Sequence, residues 1–281
     1  MPSTNEVLAV YEALKRRVNQ PIDQSLIRFS AGKEIFGYVA KQTAIELASY
    51  TGCFRLTETL SMSTGAQLSF TTRSQAFTMA HEQLLLSARA QKSRELLEVR
   101  AGVLDQPSAR APRGLFRALG MLTQSVHLVA YKGDKIILGL RGRDKRIGAG
   151  LWDNTAAGMV AAGEALTASL YREAWEEAGL ISHEMTLTKG GSFVYRASVP
   201  EGWMQEEMII YDADLADSAL PMNRDGAVQR FEAFTIDEVL SLIEKDAVMP
   251  GSAVCILESW LRRHGAAPDD EFMRYPYFFR G

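Results

Sequence analysis

One segment of this 281-residue chain, residues 158–180, constrains its fold more than any other. The segment reads GMVAAGEALTASLYREAWEEAGL, and its Gly179 is the kind of residue that usually follows the last turn of a helix. Its apolar side chains recur at helical spacing: Leu166, Leu170, Ala174 and Ala178. Glu177 follows Leu170 by seven residues, so at 100° per residue it lies about 20° from the apolar stripe. The pattern predicts a helix over 165–178 with a carboxylate at a core position.

Three carboxylates come together on this predicted helix. Glu173 precedes Glu176 by three residues and Glu177 by four, which is the spacing of neighbouring side chains on a helix. The three charges repel one another unless a cation joins them, and Mg²⁺ is a cation that prefers oxygen ligands. The alternative is a solvated acidic helix end on which Arg172 pairs with Glu176, four residues further on.

The whole segment also has a fixed pattern of residue types. Gly158 is followed by five residues and Glu164, and after seven more residues the chain reads REAWEEAGL. This pattern resembles the signature of the Nudix hydrolase family. The resemblance implies hydrolysis of a diphosphate linkage with Mg²⁺, for which Mn²⁺ can substitute. It also implies a catalytic metal site built from one backbone carbonyl and three carboxylates: Gly158, Glu173, Glu176 and Glu177.

The same resemblance implies supporting roles for other residues. Arg172 is expected to orient a glutamate of the motif through a salt bridge, and Glu164 to support the start of the helix. A water activated by the metal or by a carboxylate would attack phosphorus without a covalent enzyme intermediate. The general base is either a glutamate of the motif or a later residue, and Glu206 and Glu207 are the later candidates. Their alternative is a pair of exposed charges at a strand entrance, and the number of metal ions stays open.

The resemblance implies a Nudix fold, in which a mixed β-sheet is sandwiched between α-helices. Local patterns agree with an α+β chain, because residues 125–142 read as two strands joined by a Gly133-Asp134 turn. The Pro- and Arg-containing stretch 107–112 reads as a surface loop, and we place the domain boundary there. The prediction is a smaller N-terminal α+β domain at 1–113 and a Nudix hydrolase domain at 114–281.

A longer stretch around the motif narrows the resemblance. RGRDKRIGAGLWDNTAAGMVAAGE (141–164) resembles the Nudix hydrolases related to the Nudix portion of fungal thiamine pyrophosphokinase fusions. This subgroup implies conversion of thiamine diphosphate, or of its oxidised forms, to the monophosphate. Ala227 departs from the subgroup's pattern, in which an acidic residue follows Asp225-Gly226. The alternative substrate is another nucleoside-diphosphate derivative, such as ADP-ribose or a dinucleotide.

Five residues just before the motif are candidates for substrate recognition. Basic side chains would contact phosphate, a tryptophan would stack on a heterocycle, and an asparagine would hydrogen-bond to one. Each has a structural alternative, namely a solvated charge after a strand, a core tryptophan and an asparagine that shapes a turn. The candidates are Arg141, Arg143, Lys145, Trp152 and Asn154.

Two functions without hydrolysis are also associated with this fold. An isomerase of the Nudix fold relies on a catalytic cysteine, whereas neither Cys53 nor Cys255 lies near the motif. A ligand-sensing regulator needs a DNA-reading module, and neither half of the chain has the basic stripe of a nucleic-acid binder. We therefore expect an enzyme whose partner is a small-molecule diphosphate.

Charge is distributed unevenly along the chain. Residues 1–115 contain 14 Lys and Arg against 10 Asp and Glu, and residues 116–281 contain 17 against 24. A cationic part beside an acidic part would suit an anionic ligand between them, although a solvated surface is the alternative. No apolar run approaches the roughly 18 residues of a membrane span, and a secretory pattern is absent, so we expect a cytoplasmic protein. The N-terminal domain could cover the active site, pair subunits in a homodimer or support the fold.

Overall fold

The computed structural model describes residues 2–50, 52–62 and 68–268 of the chain. The first elements are α1 (Thr4–Val18), β1 (Ile27–Ala31), β2 (Glu34–Val39), α2 (Lys41–Tyr50), β3 (Phe54–Leu56), β4 (Leu60–Met62), α3 (Phe70–Leu86), β5 (Leu96–Val99), β6 (Ala109–Pro112) and α4 (Arg113–Leu119). They are followed by β7 (Leu122–Lys132), β8 (Lys135–Arg141), β9 (Trp152–Asp153), β10 (Ala156–Met159), α5 (Leu166–Ala178), β11 (Met185–Val199), β12 (Gly202–Leu215), β13 (Val228–Phe234), α6 (Ile236–Glu244) and α7 (Pro250–Arg263).

A mixed seven-stranded sheet forms the centre of the second half of the chain. Its order is β11-β12-β7-β8-β13, with β10 paired to β7 and β9 paired to β8. Strand β7 runs parallel to β12 and antiparallel to β8 and β10. The predicted hairpin is confirmed, since β7 and β8 are joined at Gly133, whose φ of 63° suits glycine.

Successive side chains of β7 point to opposite faces of this sheet and belong to two different hydrophobic cores. Val126 and Leu128 pack toward α5, the helix that was predicted over 165–178. Val129 and Tyr131 pack on the opposite face, in the core that contains α6 and α7. The sheet therefore lies between helices, which confirms the predicted α+β class.

The N-terminal half builds its own core around aromatic rings. The Phe29 ring lies 5.8 to 6.0 Å, between centroids, from the rings of Phe36, Phe54 and Phe77. These rings come from the sheet β2-β1-β4-β3 and from α3, which covers it. The stretch 107–112, which the sequence indicated as a loop, contains strand β6. It is a strand because Ala109 and Ala111 are buried in this core and the segment pairs with β5.

Helix α1 packs away from this N-terminal core. A capping box formed by Ser3 and Glu6 begins the helix. Its buried side lies in the same hydrophobic cluster as α7 and consists of Val7, Tyr11, Leu14 and Val18. The first helix of the chain therefore stabilises the second half of the fold. Among the residues described, no helix combines the length and the apolar character that crossing a membrane requires.

Candidate active site

Helix α5 presents two glutamates of the motif to strand β10. Its buried side packs against β7 and β10 through Leu170, Ala174 and Ala178. Gly179 ends the helix with a φ of 67°, and its N–H donates to the Trp175 carbonyl oxygen at 3.0 Å. With the helix fixed in this register, Glu173 and Glu177 face the backbone of β10.

The backbone of β10 receives both carboxylates. A Cβ added to Gly158 would lie 1.9 Å from Cδ and 2.0 Å from Oε1 of Glu173. One residue earlier, the Ala157 N–H donates to Glu177 Oε2 at 3.0 Å. The missing side chain at Gly158 is therefore what allows Glu173 to lie directly against the strand.

The surroundings of Glu177 favour its neutral form. Burial raises the pKa of Glu177 to about 8, and the charges of Asp153, Glu173 and Asp225 act in the same direction. The hydrogen bond from the Ala157 N–H opposes this increase. Burial also raises the pKa of Glu173. Both carboxylates would therefore be stabilised in their charged form by a cation placed between them.

Arg172 holds Glu173 from the other side. Its Nη1 donates to Glu173 Oε1 at 2.6 Å, and its Nη2 donates to the Met159 carbonyl oxygen at 3.2 Å. Its Nε and Nη2 also donate to the two carboxylate oxygens of Glu164, at 3.0 and 2.9 Å. These bonds hold the pKa of Glu164 at about 2, and the Ser169 hydroxyl donates to the same carboxylate at 2.6 Å. Arg172 thus joins the loop, the start of α5 and Glu173.

Glu176 has a different environment from the other two glutamates. Its side chain is 50% exposed and contacts Arg172 Nη1 at 3.3 Å. Glu176 directly precedes Glu177 in the sequence, so the two side chains point about 100° apart around the helix. The structure therefore brings Glu173 and Glu177 together at β10 and leaves Glu176 at the exposed edge of α5.

The oxygen donors at this site are of the kind that Mg²⁺ binds. Across residues 2–50, 52–62 and 68–268, no group of three or more His, Cys, Asp or Glu side chains is arranged to hold a metal ion. Glu173 and Glu177 nevertheless offer carboxylates beside the backbone of Gly158, and hard divalent cations take oxygen ligands. A cation would also offset the charges that raise the pKa of Glu177. The residues present fit a divalent cation.

The basic residues after β8 lie near the surface. Arg141 Nη1 donates to Asp153 Oδ2, and Arg141 Nη2 donates to the Ile147 carbonyl oxygen at 3.0 Å. Arg143 is exposed, whereas Lys145 lines a cavity together with Arg141. The guanidinium of Arg141 is thus already engaged with a carboxylate, and Lys145 faces a space that a ligand can enter.

Trp152 and Asn154 lie inside the protein. Trp152 is 7% exposed and packs edge-on against Phe234, with ring centroids 4.8 Å apart. Asn154 is 3% exposed, and its Nδ2 lies 2.8 Å from Nδ1 of His127. Both side chains are therefore buried in this structure, and substrate contact by either one stays a prediction. Trp152 lies in the core beside α6 because β9 pairs with β8.

The two candidate bases of β12 lie on opposite faces of the sheet, because side chains alternate along a strand. Glu207 is 5% exposed on the α5 face, where Gln124 Nε2 donates to its Oε2 at 2.7 Å. Burial raises the pKa of Glu207. Glu206 lies on the α7 face, with its Oε1 4.0 Å from Nε2 of His127. Of the two, Glu207 shares a face with Glu173.

Two acidic residues near Glu177, Asp153 and Asp225, were not predicted from the sequence. Asp153 accepts hydrogen bonds from Arg141 and from the Ser252 hydroxyl, and its charge acts on Glu177. Asp225 Oδ1 accepts the N–H of Ala227 at 2.7 Å, in the loop before β13. Asp153 could have been predicted, because it lies in the sequence LWDN (151–154) shortly before Gly158 of the motif. Nothing in the local pattern places Asp225 beside α5.

Comparison with known proteins places this site within a recognised domain. Residues 121–252 match the family model described as NUDIX domain. Nudix hydrolase 20, chloroplastic, of Arabidopsis thaliana is 27% identical over 172 residues, which are 57% of this chain and 46% of that protein. Isopentenyl-diphosphate Delta-isomerase 2 of Photorhabdus laumondii is 32% identical over 105 residues, or 37% of this chain and 57% of that protein. The chain spans about half the length of the curated relatives it matches.

Among solved structures, DR0079 from Deinococcus radiodurans superposes with a TM-score of 0.48 at 17% identity. The superposition covers 60% of this chain and 98% of that one.

Proposed function

We propose that this protein, whose residues 121–252 are a Nudix domain, hydrolyses the diphosphate linkage of a small organic diphosphate with Mg²⁺. The observation that carries the proposal is the pair of carboxylates, Glu173 and Glu177, held against Gly158 and Ala157 of β10. Acids that are desolvated and repel one another destabilise a fold, and such pairs occur where a cation or a reaction needs them. Similarity to a protein named Nudix hydrolase 20 supports the same reaction class.

Each residue of the motif has a proposed role in this reaction. Glu173, Glu177 and the Gly158 carbonyl oxygen would hold the metal, and Glu176 would join them from the exposed edge of α5. Bound Mg²⁺ supplies compensation for phosphate charge and makes a coordinated water more acidic. Arg172 would keep Glu173 in position, as its hydrogen bonds to Glu173 and to the preceding loop suggest.

The chemical step needs a base for the attacking water. We propose Glu207, because it lies on the α5 face and burial raises its pKa, which makes its carboxylate a stronger base. The water oxygen would form a bond to phosphorus, its proton would pass to the Glu207 carboxylate, and the bridging P–O bond would break. The leaving group would depart as a phosphate, so no covalent bond to the protein is required.

Within this reaction class we propose thiamine diphosphate, or its oxidised forms, as the substrate. The support is the resemblance of residues 141–164 to the Nudix portion of thiamine pyrophosphokinase fusions. The products would be the monophosphate and inorganic phosphate. ADP-ribose or a dinucleotide is the alternative, since a Nudix domain is compatible with either class.

An isomerase is the second candidate, because one relative is named isopentenyl-diphosphate Delta-isomerase 2. The positions of the two thiols favour the hydrolase. Cys255 is fully buried on α7, across the sheet from α5, and burial raises its pKa well above the usual value. Cys53 packs against the N-terminal core. Neither thiol reaches the face that carries Glu173.

The test is Mg²⁺-dependent turnover of thiamine diphosphate, its oxidised forms, ADP-ribose and isopentenyl diphosphate, assayed in parallel. The variant is Glu177→Gln, and the matched control is Glu244→Gln at the exposed end of α6. Cleavage of a P–O–P linkage by the wild type and the control, with a loss of 100-fold or more in Glu177→Gln, supports the proposal; the products are separated by chromatography, because ADP-ribose would give two monophosphates and no inorganic phosphate. Equal turnover in Glu177→Gln, or isomerisation without cleavage, would overturn it.

A further inference from the structure

A cavity of about 290 Å³ lies where the N-terminal half meets the Nudix domain. Gln91 and residues of α4 form one wall, and the loop after β8 together with the start of β12 forms the other. Five cationic side chains line this junction cavity: Arg113, Arg117, Arg141, Lys145 and Arg146. Such a concentration of positive charge in a small concave space attracts an anion.

Three of these cations already have carboxylate partners. Arg141 pairs with Asp153, Arg146 with Glu201, and Arg113 with Glu95. Pairing of this kind cancels charge, so these three side chains contribute less to the field in the cavity.

The other two cations are not neutralised in this way. Arg117 directs its Nη2 to the sulfur of Met204 at 3.5 Å, and a thioether is a weak acceptor. In the described part of the chain, no carboxylate forms an ion pair with Arg117 or Lys145, and the Glu201 carboxylate, which pairs with Arg146, acts on Arg117 only through its charge. Their charges are therefore available to a ligand, one from each side of the junction cavity.

The lining of the junction cavity is mixed: Gln91, Thr123 and Gln205 are polar, and four other side chains form an apolar floor. Phe116 and Met121 are almost fully buried beneath it, and the side chains of Met159 and Met204 line it as well. Methionine adapts its shape to flat or irregular ligands, and an apolar floor under a cationic mouth suits an amphiphilic anion. The volume is at the lower end of the usual range for ligand sites, about 300–1,000 Å³, so the ligand body is compact.

The junction cavity adjoins the carboxylates of α5. Met159, which lines it, directly follows Gly158, and the Met159 carbonyl oxygen accepts a hydrogen bond from Arg172. Arg141 lines the cavity too, and its partner Asp153 acts on the charge of Glu177. The wall of the cavity thus includes the residue that directly follows Gly158 of the proposed metal site.

We propose that the junction cavity binds the substrate, with Arg117 of α4 and Lys145 of the Nudix domain holding its phosphate groups together. Helix α4 precedes the matched residues 121–252 and packs in the N-terminal core, so it belongs structurally to the N-terminal half. The inference rests on the proposed function for the reaction and for the diphosphate of the substrate, and it adds the binding site and the residues that hold the phosphates. The size and lining of the cavity favour a compact substrate body that is partly apolar or aromatic. It also assigns a role to the N-terminal half, which supplies one side of the binding site.

The test is binding of inorganic pyrophosphate, measured by isothermal titration calorimetry in EDTA, where neither metal nor turnover contributes. The variants are Arg117→Met and Lys145→Met, which keep much of the side-chain length and remove the charge. Arg89→Met is the matched control, since Arg89 pairs with Glu46 in the same half and does not line the cavity. Each test variant should weaken binding about tenfold or more, and the control should stay within about twofold.

Arg117→Lys covers the case in which Arg117→Met fails to fold. This variant keeps the charge and should retain measurable affinity, between that of the wild type and that of Lys145→Met. Wild-type affinity in both Arg117→Met and Lys145→Met would overturn the inference, as would a wild type that does not bind pyrophosphate at all.

The reaction and the binding site can fail separately. If no diphosphate is hydrolysed but the two variants lose pyrophosphate binding, the junction cavity stands and the proposed function falls. If hydrolysis occurs and Arg117→Met leaves KM and kcat unchanged, the proposed function stands and the junction cavity is not the substrate site. A rise in KM of tenfold or more at nearly constant kcat is the expected result.

Discussion

Replacing Glu177 with glutamine tests the electrostatics of the site without any substrate. Burial and neighbouring acids raise the pKa of Glu177 to about 8, whereas an unfolded glutamate titrates near about 4.3. Between these values the folded state keeps a proton that the unfolded state has released, so the free energy of unfolding falls as pH rises. At about 1.4 kcal/mol per pH unit, the difference between the two pKa values corresponds to a loss of unfolding free energy on the order of 4–5 kcal/mol. Solvent screens this half-buried side chain, so we expect a loss of about 2–4 kcal/mol.

Metal-free Glu177→Gln should therefore unfold at a higher temperature than the wild type at about pH 8, by several degrees for a chain of this size. Glutamine can still accept the Ala157 N–H, so the substitution removes the charge and keeps the hydrogen bond. Near pH 5 the difference should shrink, because the wild-type side chain is then neutral in the folded protein. Part of the pH dependence should persist in the variant, since the pKa of Glu173 is also raised.

Differential scanning calorimetry in EDTA at several pH values from about 5 to about 8 measures this effect. Glu244→Gln serves as the control, because its position at the exposed end of α6 should leave the pH dependence unchanged. Added Mg²⁺ should stabilise the wild type at about pH 8 and have little effect on Glu177→Gln. A difference between wild type and variant that does not grow with pH would refute the electrostatic reasoning.

Three further substitutions address the rest of the site. Gly158→Ala should lower kcat by about 100-fold or more with the fold retained, because its Cβ would displace the Glu173 carboxylate; steady-state kinetics with circular dichroism measure both. Arg172→Lys should lower the free energy of unfolding by about 1–3 kcal/mol in urea titrations, since lysine cannot form the two parallel bonds to Glu164, and an unchanged midpoint would count against this. Glu207→Gln should reduce kcat by about 10²–10⁴-fold with little change in KM, and full activity would return the role of base to a glutamate of α5.

Local patterns predicted the elements whose structure depends on near neighbours. Helix α5 ends at Gly179 and the β7–β8 hairpin turns at Gly133, because helical spacing and glycine turns are determined within a few residues. The carboxylate of Glu177 at the edge of the core was predictable for the same reason, since its distance from Leu170 fixes its direction on the helix. The match to the NUDIX domain over residues 121–252 confirms the family resemblance that this segment carries.

Side chains whose position depends on distant partners were not predictable in the same way. Trp152 stands among glycines and charged residues in the sequence, and it is Phe234, far along the chain, that buries it. Asn154 reads as a turn residue, but its amide meets His127 of β7. Arg117 follows an apolar stretch that gives no sign of Met204 or of a cavity. The place of Arg117 in the cavity is determined by tertiary contacts, so no local pattern could predict it.

The carboxylates of α5 carry uncompensated negative charge, and the cations of the adjoining junction cavity carry uncompensated positive charge. Glu177 has a raised pKa because it is buried beside other acids, and Arg117 and Lys145 form no ion pair within the described residues. A metal ion alone would stabilise the carboxylates and add to the repulsion felt by the cations. A phosphate alone would do the reverse. A magnesium diphosphate offsets both imbalances at once, because the metal and the phosphates also bind each other. The charge distribution therefore favours the metal–diphosphate complex over either ion, and each component should increase the affinity for the other.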